Sequence, residues 1–326
     1  MFSFERLVAE ALRKAVFRYL RQPYSRPLPA GREHALFAPD LLDSELSANG
    51  VVSSLRKTLL ETFLNPIMAQ MWRVESGSSL GSSVPTTAIL FGPPGTSKTE
   101  LTRAISDYLG WPRLTLDPSH FVRNGIDNVS AEADLLFAML ASIDRVVILL
   151  DEIDELVRER ANSPEALSRF LTTSMLPKLA AINKTKRVIF VVATNHIEQF
   201  DIAISRPGRF DIILQVMPPS AKEKLRKFSN LASALGLAVN QDSQRERQLS
   251  ALTYDETRRL AKRLSQKSDD VRQCLSELEA EHIGCTLNSP VDRLKDVGFT
   301  WDDACKQQRD RIRIPNINHA TLEEIS

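Results

Sequence analysis

Three runs of consecutive apolar residues stand out along the chain: Ala88 to Phe91, Val146 to Leu150 and Val188 to Ala193. None alternates with polar positions, so each reads as a strand buried on both faces, as in a parallel sheet covered by helices. Arg113 to Leu116 and Ile212 to Val216 are shorter or interrupted and complete the set, the last closing the sheet. Helical patterns fall between them, at Lys98 to Leu109, Ala131 to Ser142 and Ser163 to Ala181. From Pro218 onward the pattern is helical and charged, over Ala221 to Leu235, Tyr254 to Ser265 and Asp269 to His282. The expected architecture is α/β: a parallel sheet flanked by helices, followed by a small helical lid.

Ahead of the first strand, Phe2 to Arg21 places Phe4, Leu7, Val8, Leu12, Val16 and Leu20 near helical spacing, with Arg13, Lys14, Arg18 and Arg21 between them. Such an amphipathic basic helix docks on a partner, lies on a membrane surface, or packs its stripe on its own domain; the last is expected here. Pro and Gly become frequent from Gln22 to Asp43, which reads as a linker. Leu55 to Trp72 is helical in pattern, and Glu75 to Ser83 is a Ser/Gly tether. The expected divisions are 1–42 for the amphipathic helix and linker, 43–217 for the α/β core, 218–284 for the lid and 285–326 for a C-terminal extension.

Composition narrows the classes. The 326 residues carry 42 Lys and Arg against 41 Asp and Glu, a formal net charge of +1, so no global field selects nucleic acid or an anionic membrane. The hydrophobic fraction, 43%, is ample for a core. Cys274, Cys285 and Cys305 show no C-x-x-C and are odd in number, which fits a reducing compartment and argues against structural zinc. Charges interrupt every apolar run near the N-terminus, and no run is long enough to span a bilayer, so neither a secretory signal nor a transmembrane segment is expected. The default location is cytoplasmic.

Chemistry concentrates where the strands end. After Ala88 to Phe91 comes Gly92-Pro93-Pro94-Gly95-Thr96-Ser97-Lys98-Thr99, and then a helix. A strand feeding such a loop aims backbone N–H groups and a helix start at one point, which favours a phosphate. Lys98 supplies a point charge for the β- and γ-phosphates, Thr99 a hydroxyl for Mg²⁺, and Glu100 closes the candidate nucleotide-binding stretch. The pattern G-x-x-x-x-G-K-[ST] is incomplete, because Ser97 stands where its second glycine belongs; a serine there crowds the phosphates or needs an unusual backbone.

The second strand with acids at its end, Val146 to Leu150, stops at Asp151-Glu152. Carboxylates at the carboxyl end of a buried strand lie at the crevice where open α/β sheets bind ligands. Asp151 is the candidate Mg²⁺ residue through its water shell, and Glu152 the candidate base that orients and deprotonates water. Asn195 ends the strand Arg187 to Thr194 and is placed to hold that water or touch the γ-phosphate. Ser205 to Asp211, reading SRPGRFD, sets Arg206 and Arg209 on a stiff Pro-Gly turn suited to phosphate.

Four stretches, Gly92 to Thr99, Val146 to Asp154, Val191 to Asn195 and Ser205 to Asp211, stand in the order and near the spacing of the AAA ATPases, which the chain resembles over roughly Asp43 to His282. The resemblance implies a P-loop NTPase sheet with a helical lid, ATP and Mg²⁺ as cofactors, and a ring assembly, usually a hexamer. It also implies a sensor role for Asn195 and arginine fingers at Arg206 and Arg209 that reach a neighbouring subunit's nucleotide. Three departures stand beside it. Ser97 replaces a glycine. Gly125, Ile126 and Asp127 occupy the register of the aromatic pore loop, with Phe121 four residues earlier. Leu252 to Glu256 stands where the lid's Gly-x-Ser-Gly-Ala-Asp segment would be. No H-E-x-x-H is present, so a fused metalloprotease is not supported.

The function expected is Mg²⁺-ATP hydrolysis at subunit interfaces coupled to remodelling of a protein partner not identified by the sequence. Two alternatives remain: a nucleotide-gated scaffold with slow or no hydrolysis, and a nucleic-acid-associated switch or loader, against which the neutral charge argues.

Overall fold

The computed structural model describes residues 2–27, 45–48, 51–71, 83–92, 95–125, 128–151, 175–195, 210–216, 221–234, 249, 254–267 and 274. Its centre is a five-stranded parallel sheet of β3 (Thr87–Phe91), β4 (Arg113–Leu116), β5 (Val147–Leu150), β6 (Ile189–Thr194) and β7 (Ile212–Gln215), in the order β4-β5-β6-β3-β7. Register runs Phe91 against Thr194 and Gln215, and Leu116 against Leu150, so the strands end together along one edge. A separate antiparallel hairpin, β1 (Glu45–Ala48) and β2 (Val51–Ser54), precedes it. Its pairing of Ala48 with Val51 leaves Asn49 and Gly50 between the strands, the dipeptide tight hairpins favour; the hydrophobic pattern alone does not reveal it.

The apolar runs are buried on both faces, and alternate residues divide between two cores. Ile89, Phe91, Ile148, Leu150, Phe190 and Val192 face one side, with Phe137 and Leu140 of α6 (Val129–Ser142) and Leu179 and Ile182 of α7 (Leu176–Thr185). Ala88, Leu90, Val147, Leu149, Ile189 and Val191 face the other. There they meet α4 (Lys98–Leu109) and the helix built from α2 (Leu55–Leu59), a π-helical turn (Leu60–Leu64) and α3 (Asn65–Met71). Pro66 lacks the N–H that a regular helix would direct at Thr62, and the widened turn falls just before it. Helices α8 (Ala221–Ala234) and α9 (Tyr254–Lys267) share a third cluster that includes Phe228, Leu260 and the buried Cys274. Asp269 to His282 otherwise lies outside the described residues, as do Cys285 and Cys305.

Helix α1 (Phe2–Tyr19) departs from expectation. Only its second half packs: Val16, Phe17 and Leu20 are buried in the core that α6 lines, and Arg13 is clamped to Asp144. Phe4, Leu7, Val8 and Leu12, the other four residues of the predicted stripe, are exposed. The reason is angular: at about 100° per residue these four lie on the side of the helix turned away from Phe17 and Leu20, the side on which Ala15 and Tyr19 are exposed as well. Arg13 meets Asp144, beyond the end of α6, while Arg123, before its start, lies over the ring of Tyr19. The two helices are therefore antiparallel.

The segment after α1 is not slack either. The Gln22 side-chain amide accepts from Thr115 N–H at 2.9 Å and donates to Thr115 carbonyl, pairing with the edge strand β4 as a neighbouring peptide would. Among the described residues no helix is long and apolar enough to cross a membrane.

Candidate active site

The carboxyl ends of β3, β5 and β6 carry the predicted residues that the structure describes: Gly92, Gly95 to Thr99, Asp151 and Asn195. Gly92 follows β3, its N–H donating to Thr194 carbonyl at 3.3 Å. A Cβ at this position would lie 2.2 Å from the Val216 carbonyl oxygen, so only glycine lets the chain leave the sheet here. Gly95 turns with φ 76°. Ser97 takes φ 74° and ψ 27°, the left-handed conformation in which glycine is at ease and an L-residue is strained by about 1–2 kcal/mol. Its hydroxyl is buried with no hydrogen-bond partner among the described residues. Serine thus adopts the unusual backbone required where the pattern has glycine.

Helix α4 begins at once. Leu101 N–H reaches the Ser97 carbonyl at 2.8 Å, and Lys98, 8% exposed, folds back so that Nζ donates to the Gly92 carbonyl at 2.8 Å. The ammonium is thereby held over the loop's own entry. One residue on, Thr99 Oγ1 donates to Asp151 Oδ2 at 2.8 Å. Asp151 is set at the end of β5 by its own N–H, which donates to Leu116 carbonyl at 2.9 Å. A hydroxyl and a carboxylate are hard oxygen donors of the kind Mg²⁺ takes, the ion leaving its other positions to water and phosphate; the residues present fit it.

Asn195, half-buried, follows β6, the strand between those ending in Gly92 and Asp151. Glu100 pairs with Arg103 at 2.6 Å along the surface of α4. Thr96 is buried in the loop. Pro93, Pro94, Glu152, Arg206 and Arg209 lie outside the described residues.

Asp211, the last residue of SRPGRFD, has a part that the motif's arginines do not suggest. The structure makes it the centre of a polar knot at the opposite, amino end of the sheet. Its Oδ2 accepts from Thr86 N–H at 2.6 Å, Thr87 N–H at 3.0 Å and Thr87 Oγ1 at 3.0 Å. Lys186 Nζ lies 3.1 Å from Oδ2, and Asn183 Nδ2 donates to Oδ1 at 3.2 Å. Burial, the largest single influence, would push this carboxyl up. The Thr86 N–H, the Lys186 charge and the Asn183 amide together outweigh it and hold the group below the usual carboxylate range. The knot ties α7, β3 and β7 together and anchors the chain two residues after Arg209. An acid directly before an apolar strand was the available signal.

Residues 88–218 match the family model described as ATPase family associated with various cellular activities (AAA). The chain is 32% identical over 167 residues to the ATP-dependent zinc metalloprotease FtsH of Lachnoclostridium phytofermentans, covering 50% of this chain and 29% of that one. It is 28% identical over 215 residues to the ATPase family gene 2 protein of Saccharomyces cerevisiae, covering 64% and 27%. With the 26S proteasome regulatory subunit 8 homolog of Schizosaccharomyces pombe it shares 32% over 150 residues, covering 45% and 37%. The chain thus spans less than two fifths of the length of these relatives. The crystal structure of the FIGL-1 AAA domain superposes with a TM-score of 0.53 at 20% identity, over 80% of this chain and 87% of that one, a likeness of fold.

Proposed function

We propose, from the match of residues 88–218 to the AAA ATPase family model, that this chain binds Mg²⁺-ATP in the loop Gly92 to Thr99 and hydrolyses it within a ring oligomer, remodelling a protein partner. The observation that carries the reading is the 2.8 Å contact of Thr99 with Asp151, which joins the phosphate loop to the acidic strand end. Thr99 and Asp151 would hold Mg²⁺, which when bound offsets the charge of the β- and γ-phosphates.

The roles of the chain's own residues follow. Lys98 exchanges the Gly92 carbonyl for a phosphate oxygen, a short movement of a side chain already folded over the loop. Glu152 takes the proton of the attacking water, and Asn195 orients that water at the end of the neighbouring strand. Arg206 and Arg209 stabilise charge on the nucleotide of an adjacent subunit. Support for action between subunits comes from Asp211, which fixes the following chain at the amino end of the sheet, away from Lys98 and Asp151. The remodelling assignment rests on relatives whose names describe a protease and a proteasome subunit.

Steady-state phosphate release by the purified chain tests the proposal, with Glu152→Gln as its control. Turnover that depends on Mg²⁺ and on Glu152 is the expected result, and nucleotide binding without turnover would overturn it. That outcome would favour the second reading, a nucleotide-gated scaffold, for which the strained backbone and buried hydroxyl of Ser97 are the specific observation.

A further inference from the structure

We propose that the first half of α1 is a docking element for an anionic lipid surface. Phe4, Leu7, Val8 and Leu12 are 72%, 66%, 43% and 43% exposed, and Ala11 and Ala15 are exposed beside them. Their spacing of three and four residues places all six on one face of the helix, turned away from the face that Val16, Phe17 and Leu20 bury in the core. The stripe faces away from the core, so a flat surface can approach it without displacing the packed side of α1.

Charge identifies the occupant. Arg18 lies on the side of the stripe and Arg21 follows it, both exposed, while the exposed Lys14 reaches back to Glu10 and the ring of Tyr24. Glu10 is drawn inward, holding Arg13 and Arg26, which leaves Glu5 as the exposed acid of the described helix. An apolar stripe bordered by cations is the pattern of a helix lying in the lipid interface, with its apolar face among the acyl chains and its cations at anionic headgroups. A second copy of the chain matches it less well. Two such stripes facing each other would cover roughly 800 Å², below the about 1,200 Å² where specific interfaces begin, and would bring like charges together.

The docked helix is rigidly coupled to the rest of the molecule. Arg13 holds Asp144 before β5, Gln22 holds the edge strand β4, and Tyr19 holds Arg123 in the loop after α5 (Pro118–Phe121). Binding through Phe4 to Leu12 therefore orients the whole sheet against the surface.

The test is co-sedimentation of the full chain, without nucleotide, with vesicles of phosphatidylcholine alone or mixed with phosphatidylglycerol. The expected result is sedimentation with the mixed vesicles only, weakening as salt rises. Leu7→Ser/Leu12→Ser should lower partitioning more than ten-fold, and Arg18→Gln/Arg21→Gln about thirty-fold. These side chains are exposed, so thermal melts should match the parent and show that the variants fold. Failure of the parent to sediment, or equal sedimentation of the Leu7→Ser/Leu12→Ser variant, overturns the proposal. A change in oligomeric mass for that variant without vesicle binding by the parent assigns the stripe to a second copy instead.

Discussion

Thr99 Oγ1 donates to Asp151 Oδ2 across 2.8 Å, joining residues 52 positions apart at the ends of two different elements. If this pair holds Mg²⁺, Asp151→Asn should raise the Mg²⁺ concentration needed for half-maximal phosphate release and lower turnover by roughly 10². Glu152→Gln should lower turnover by about 10² or more while ATP binding persists, and Lys98→Ala should weaken binding itself. A Mg²⁺ titration of phosphate release for the three variants separates these roles; an unchanged profile for Asp151→Asn would remove the metal assignment.

Ser97 offers a test of backbone strain. Its left-handed φ of 74° and buried hydroxyl predict that Ser97→Gly raises Tm by about 2–4 °C, the equivalent of about 1 kcal/mol in a domain of this size. Because the serine backbone already takes the conformation the loop requires, turnover should change less than two-fold. A rise of ten-fold or more would show that the side chain obstructs the phosphates and would favour the scaffold reading.

Asp211 predicts a pH dependence. Its folded pKa is depressed, so the stability it contributes is complete above its ordinary value of 3.8 and is lost as pH falls through the lower folded value. Asp211→Asn should destabilise by roughly 3 kcal/mol at neutral pH, because it leaves the Lys186 ammonium, whose side chain is 9% exposed, without its carboxylate. In denaturant melts across pH, the gap between parent and variant should be full at neutral pH and should narrow progressively as pH falls below 3.8. Lys186→Met combined with Asp211→Asn should cost less than the sum of the two.

The arginines are tested by mixing. Lys98→Ala protein keeps Arg206 and Arg209, and Arg206→Ala/Arg209→Ala protein keeps the phosphate loop, so together they should recover activity that neither has alone. Specific activity should also rise with protein concentration. A monomer with full activity would contradict both expectations.

Phe121 is fully buried in the core shared by α1 and α6, so it is not available as a grip on polypeptide. Phe121→Ala should therefore act on the fold, destabilising by about 3–5 kcal/mol, and the chain should not thread a stably folded, tagged substrate to completion. Complete unfolding that depends on Ile126, which lies outside the described residues, would show that this loop carries a grip after all.

How far the sequence speaks can be seen by comparing Leu149 with Gln22. Leu149 lies in an unbroken apolar run, and a strand buried on both faces has no other composition available to it, so β5, β6 and the sheet were legible locally. The loop from Gly92 to Thr99 was legible for the same reason: close approach to Val216 and a helix start impose residue types at fixed spacing. Gln22, Asp144 and Asp211 carry no such imprint. Their partners Thr115, Arg13 and Thr86 lie 93, 131 and 125 positions away, and one polar pair leaves no period in either segment. Helix α1 shows the division within a single element. Its apolar spacing determined that a helix would form with a face to bury. Only the tertiary structure decided which side of the helix meets the core, burying Val16, Phe17 and Leu20 and leaving Phe4, Leu7, Val8 and Leu12 exposed, because a row spaced by four residues drifts around the helix and periodicity does not record which part of it is covered.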